Sequence, residues 1–166
     1  IIRRYPAPGA TTAEERMLVH VEFDRPELPW AFSAATVQEG LRPWLTLIVV
    51  ERAAVRRHPA TAGLPLIEVP VDELPDLARV SQWAHAQVPQ STVPLTTRMS
   101  PEFAKVNLSR LVSPRVLRED TDYVAAVVPT TDAGARGGRG VGGGTLGPAW
   151  TAGGDATVLL PVYDSW

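Results

Sequence analysis

The sequence predicts an α+β domain, mainly antiparallel β, with one clear helix and long Pro/Gly-rich loops. Three observations carry that expectation. Apolar stretches are short and bounded by proline, glycine or charge, as in "MLVHVEF", "WLTLIVVE" and "TDYVAAVVPT". Prolines number 16 and glycines 13 among 166 residues, which punctuates the chain too often for long helices. Repeated strand–helix–strand units are missing, which argues against a doubly wound parallel sheet.

Taken in order, residues 1–16 contain "RRYPAPGATTAEE" and read as an extended lead-in. "MLVHVEF" (17–23) alternates: Met17, Val19, Val21 and Phe23 face one way, His20 and Glu22 the other, as in a half-buried strand. "DRPELPW" ends it, because proline has no N–H for a central ladder. "WLTLIVVE" (44–51) is apolar on both faces and predicts a strand covered on both sides. "RAAVRRHPATAGLP" reads as a surface loop, and "LPLIEVPV" (64–71) as a short strand placed near an edge by its prolines. "DELPDLARVSQWAHAQV" (72–88) fits two templates. Leu77, Val80, Ala84 and Val88 form one helical stripe, while "QWAHAQV" alternates; a short helical turn followed by a strand from about Trp83 is favoured.

"SPEFAKVNLSRLVSP" (100–114) is the clearest helix. Ser100 suits the N-cap, Pro101 the first helical position and Glu102 the positive end of the dipole. Phe103, Val106, Leu108 and Leu111 supply an apolar face, and Pro114 ends the element. "TDYVAAVVPT" (121–130) is a strand, residues 132–156 are a glycine-rich excursion, and "TVLLPVYDSW" (157–166) is a last strand.

The length suits a single domain, residues 1–166, able to bury roughly 70% of its unfolded surface. A 45% hydrophobic and 20% charged composition is ordinary for a globular protein. Net charge −2 and pI ≈ 5.9 give no electrostatic reason to expect nucleic acid or an anionic membrane as the main partner. Cysteine is absent, which excludes disulfides, thiolate metal sites and cysteine nucleophiles. The longest apolar run, residues 44–50, is far short of the ~20 residues of a membrane-spanning helix. "IIRRYPAPG" shows no apolar signal-peptide core, so a cytoplasmic or particle-associated location is favoured. A chain that starts at Ile1 and stops at "LLPVYDSW" reads as part of a longer polypeptide.

Each candidate motif has a plainer explanation beside it. Gly138, Gly140 and Gly143 match G-x-G-x-x-G, but a dinucleotide site needs those glycines between a strand and a following helix, and "TLGPAWTAGG" cannot be that helix. Arg136 and Arg139 give this run an RGG character and make it a contact candidate, either as a flexible loop or as a hairpin that orders against a neighbouring subunit. His20, His58 and His85 lack metal-ligand spacing, although His20 and His85 lie on candidate strands and have the opportunity to meet on one sheet face. Glu119, Asp120 and Asp122 have too few companions for a calcium loop and read as a polar turn. No G-x-S-x-G elbow is present, and "NLS" at Asn107 falls inside the predicted helix. Of the five tryptophans, Trp44 and Trp83 are expected in the core, and Trp30 and Trp150 partly exposed at loop edges as interaction candidates.

The segments "EFDRPELPWAF", "LRPWLTLIVVE", "LPDLARVSQWAHAQV", "LSRLVSPRVL", "YVAAVVPTTDAG" and "LPVYDSW" run through nearly the whole chain. In that order they resemble an uncharacterised bacterial family of larger proteins. The resemblance implies no activity and no catalytic or binding residue; it implies a link to phage-tail-like or other particle-forming systems. Ser113 stands where relatives often carry cysteine, and the glycine-rich run after Gly134 departs from a segment that is helix-like in relatives.

No catalytic residue, metal ligand or cofactor is assigned. The expected function is therefore a structural or assembly module whose partners are protein: itself or other subunits. The alternatives are a glycan- or peptide-binding module using exposed tryptophan, and an enzyme completed by residues outside this chain.

Overall fold

In the computed structural model, residues 1–14, 17–25, 28, 43–60, 63–87, 108–153 and 156–166 are described. They form β1 (Arg3–Tyr5), β2 (His20–Phe23), β3 (Leu45–Glu51), β4 (Arg56–His58), β5 (Leu66–Pro70), β6 (Ala84–Gln87), β7 (Leu108–Val112), β8 (Tyr123–Pro129), α1 (Asp132–Gly138), β9 (Thr157–Pro161) and β10 (Asp164–Ser165). Three antiparallel sheets result, with strand orders β1-β2-β7-β6, β10-β8-β3 and β4-β5-β9. The predicted class, α+β and mainly antiparallel, is the observed one.

The second sheet lies between the other two, and the two-sided apolar pattern of β3 is the reason. Leu45, Leu47 and Val49, with Ala125 and Val127 of β8, pack against Val21 and Phe23 of β2 and Leu111 of β7. The opposite face, Ile48 and Val50 with Ala126 and Val128, packs against Ile67 and Val69 of β5 and Leu160 of β9. A strand whose successive side chains enter two different cores is apolar on both faces, and Thr46 is the one polar residue among the buried positions of β3. Glu51, at its end, is half-buried.

The register of this central pair follows from its ends. Thr130 N–H donates to the Trp44 carbonyl at 2.9 Å, and Arg52 N–H to the Asp122 carbonyl at 2.8 Å. Even-numbered residues of β3 therefore face β8 as hydrogen-bonded pairs. The odd-numbered carbonyls and amides of β8 turn the other way, where Tyr163 N–H donates to Val127 and Trp166 exchanges both bonds with Ala125.

Several expectations are corrected. The predicted helix over 100–114 is replaced, in its described part, by β7, whose burial alternates with Ser109 and Leu111 inward. The cap residues Ser100, Pro101 and Glu102 lie outside the described residues. Helix occurs instead inside the glycine-rich excursion, as α1. β5 is the middle strand of its sheet and not an edge: β4 pairs with Leu66–Glu68, and on the β9 side Pro70 falls at the last position of the ladder, opposite Thr157. The expected surface loop after Glu51 holds a 3₁₀ turn (Arg52–Ala54) and β4, and the last segment holds two strands, β9 and β10. The lead-in is extended but paired, as β1 against β2. The reading of 72–88 agrees: 3₁₀ turns at Val71–Glu73 and Val80–Trp83 precede β6.

Candidate functional site

Strand pairing brings together side chains that are far apart in sequence, and most of the resulting polar clusters are ion pairs. Glu22 stands opposite both Arg3 and Arg110 in the first sheet. Its carboxylate, only 6% exposed, lies 2.6 Å from Arg110 Nε and 3.8 Å from Arg3 Nε. Arg4 grips Asp164 through two bonds of 2.7 and 2.9 Å, tying β1 of the first sheet to β10 of the second. The alternation of β2 places Glu22 opposite the core side, but neither partner is legible without the register.

A cavity of about 260 Å³ opens beside β3, lined by Val49, Glu73, Leu74, Ser113 and Arg115 among others. Arg115 lies between two carboxylates, bonded to Glu73 and, at 3.0 Å, to Glu51. Arg118 also bonds Glu51, and its backbone N–H donates to the Tyr123 hydroxyl at 3.0 Å. Burial pushes the Tyr123 phenol up, but Arg118 and Arg115 outweigh it and hold the group below its ordinary value. Ser113 is buried, and its Oγ accepts the Arg115 N–H at 3.3 Å. A base poised on Ser113 is what nucleophilic chemistry needs; the contact present is a backbone amide, which leaves the hydroxyl as a turn acceptor. The cavity is walled by satisfied charge pairs that pin the 71–73 turn and the 113–118 segment to the end of β3.

On the outer face of the third sheet, Glu68 collects three neighbours. His58 Nε2–H donates to Oε2 at 3.0 Å, Thr157 Oγ1–H donates to Oε1 at 3.0 Å, and Arg56 lies 3.6 Å away. The His58 and Thr157 hydrogen bonds hold the Glu68 carboxyl below its usual range. The other two histidines do not meet. His20 stacks on Tyr5 with ring centroids 5.3 Å apart and bonds the Leu18 carbonyl, while His85 bonds the Gln82 carbonyl two strands away. Among the described residues, no group of three or more metal-ligating side chains converges.

The glycine-rich segment packs against its own chain. Thr131 caps α1 by accepting the Gly134 N–H at 3.1 Å. The amides of Asp132 and Ala133 donate to the carbonyls of Gly147 and Thr145, and Asp132 Oδ2 accepts the Thr145 N–H. The G-x-G-x-x-G glycines therefore follow a helix, starting at its last residue, and two amides of its first turn are already bonded. At the other end, Gly138 lies so close to Pro161 that a Cβ on it would sit 2.5 Å from Pro161 Cγ.

The interaction candidates separate. Trp30 lies outside the described residues. Trp150 is 5% exposed, set in the second core with its Nε1–H donating to the Pro75 carbonyl at 2.9 Å, so the expected partial exposure is not found. Trp44 and Trp83, expected in the core, are half-buried; Trp44 meets Tyr163 edge-on at 5.5 Å. Arg136 and Arg139 are half-buried on α1 and the residue that ends it. The polar turn at 119–122 is confirmed as a turn, with Asp120 at φ 51° and Thr121 Oγ1–H donating to the Glu119 carbonyl. No helix among the described residues is long and apolar enough to cross a membrane. Comparison with family models, with curated proteins and with solved structures finds no match to this chain.

Proposed function

We propose that the chain is a structural module that assembles with other protein subunits, a phage-tail-like or other multi-subunit particle being the kind of assembly its family resemblance suggests. The observation that carries this reading is the distribution of exposed apolar side chains. Ile1, Ile2, Met17 and Leu18 are 36–51% exposed and flank the β1–β2 pair at one edge of the first sheet. Val116 is 72% exposed beyond β7. Large apolar groups set around a sheet edge favour association, since pairing or packing there removes them from water.

The polar side of the molecule supports the same reading. Glu22, Glu51, Glu73 and Asp164 are spent on arginines that tie one strand or sheet to the next. Such ties make a stiff scaffold of the type that presents a fixed surface. The glycan- or peptide-binding alternative loses Trp150 to the core and rests on Trp30 alone.

Light scattering coupled to size-exclusion chromatography tests the proposal on the full-length polypeptide. Self-association, or a stable complex with a co-encoded subunit, is the expected result, and Ile2→Lys with Leu18→Lys should weaken it. A monomer at all concentrations that forms no such complex would refute it.

A further inference from the structure

A strand at the edge of a sheet presents unpaired N–H and C=O groups to any strand that can reach them. In the third sheet β4 is such an edge, since β5 is its one neighbour among the described residues. Val162 N–H donates to the Pro65 carbonyl and Val71 N–H to the Ala156 carbonyl, so the odd-numbered residues of β5 bond toward β9. Leu66 and Glu68 therefore bond toward β4, where they face His58 and Arg56. Arg57, between these two, turns its N–H and C=O outward, and among the described residues neither has a backbone partner.

The side chain of Arg57 stands on the face opposite those of Arg56 and His58. It pairs with Ile67 of the second core, and it lies two residues after Val55, which packs against that core. The strand period calls for an apolar residue at this position, and an exposed arginine occupies it. Its charge is not neutralised, for among the described residues no carboxylate lies within ion-pair distance of it. Arg4 is the instructive contrast. It too sits on the core-side face of an edge strand, opposite Val21, but Asp164 engages it through two bonds of 2.7 and 2.9 Å.

An edge with one outward residue is matched by a second copy of itself. Antiparallel pairing of two β4 strands about a two-fold axis makes the two residues 57 a hydrogen-bonded pair with their side chains directly opposite. Two arginines there set like charge against like charge, and each loses water on the side that the added strand covers. We infer that Arg57 guards this edge: its uncompensated charge keeps the third sheet from pairing with β4 of a second copy. The inference goes beyond the assembly reading by naming an edge that association leaves unused, and it stands whether or not the first sheet associates.

The test uses the full chain carrying Ile2→Lys and Leu18→Lys, which removes the exposed apolar groups of the first sheet from the readout. In sedimentation equilibrium, Arg57→Val should form a concentration-dependent dimer at least about tenfold tighter than any formed by the same chain with arginine. Amide hydrogen exchange read by NMR locates the contact. The residue 57 amide, which points outward, should gain protection as the dimer fills, while the amides of 56 and 58, already in the ladder, should change little. Arg57→Lys keeps the charge and should stay monomeric. At low concentration Arg57→Val should unfold in urea no earlier than its parent. Absence of the dimer, a dimer that leaves the residue 57 amide unprotected, or a lysine variant that dimerises as the valine variant does would each overturn the proposal. So would a valine variant less stable than its parent when dilute, since that would make Arg57 a strut of β4 and not its guard.

Discussion

Replacing Gly138 by alanine places a Cβ 2.5 Å from Cγ and 2.6 Å from Cβ of Pro161. Neither partner can swing aside, because Pro161 is a ring on β9 paired with Leu66, and Gly138 O is held by the Leu64 amide. Relief requires the end of α1 to lift from the third sheet. Overpacking of this kind costs about 1–3 kcal/mol. Gly137, one residue earlier, is the internal control: its Cβ would meet nothing within 4 Å, and its φ is not in the left-handed region. Alanine there should stabilise by about 0.4–1 kcal/mol, through a less flexible unfolded chain. A domain of this size moves by roughly 2–4 °C per kcal/mol. Gly138→Ala should therefore lower the melting temperature by about 2–12 °C and Gly137→Ala raise it by about 1–4 °C. Differential scanning calorimetry with urea titration measures both. A neutral or stabilising Gly138→Ala would refute the close packing of α1 on β9 and, with it, the account of the glycine-rich segment as ordered by its own chain.

Two further outcomes follow from single contacts. Trp150→Phe keeps most of the buried ring but strands the Pro75 carbonyl that accepts its Nε1–H; a loss of about 1–3 kcal/mol in urea unfolding is expected. The Glu68 carboxyl is held below its ordinary value, first by the His58 hydrogen bond and then by Thr157. A carboxyl lowered in the folded state contributes stability that is present above its unfolded value and lost as pH falls through its folded one. Acid titration of unfolding midpoints below about pH 4.5 should therefore show this loss, and His58→Gln should reduce it. An identical acid profile in the variant would count against the His58–Glu68 pairing.

How much of this fold is legible in the sequence depends on which signals are local. The run Leu45–Val50, apolar at every position but Thr46, announces a strand covered on both faces, and the structure supplies the two cores it needs. The alternation of β2 and the strand after Trp83 are likewise readable from a few residues. Over Leu108–Val112 the helix expectation misleads because the signals behind it, a cap, a proline and an acid at 100–102, are local, whereas this stretch is held as a strand by β2 on one side and β6 on the other. α1 fails in the opposite sense. Three of its seven residues are glycine, a composition that opposes helix, yet Gly138 is needed there because the helix end rests directly on Pro161.

The interaction candidates divide in the same way. Arg136 and Arg139 stand out in the sequence as paired basic residues in a glycine-rich run, but only the structure shows them half-buried at the end of a helix, with the helix's last carbonyls bonded to backbone amides. Trp150 reads as a loop-edge tryptophan until Pro75, on a different segment, accepts its Nε1–H and the second core closes around it. By itself the sequence determined which stretches must be buried, because burial follows from local composition and period. The tertiary structure decided which of those stretches meet, because register, close approach and the partner of every charge are set by residues distant along the chain.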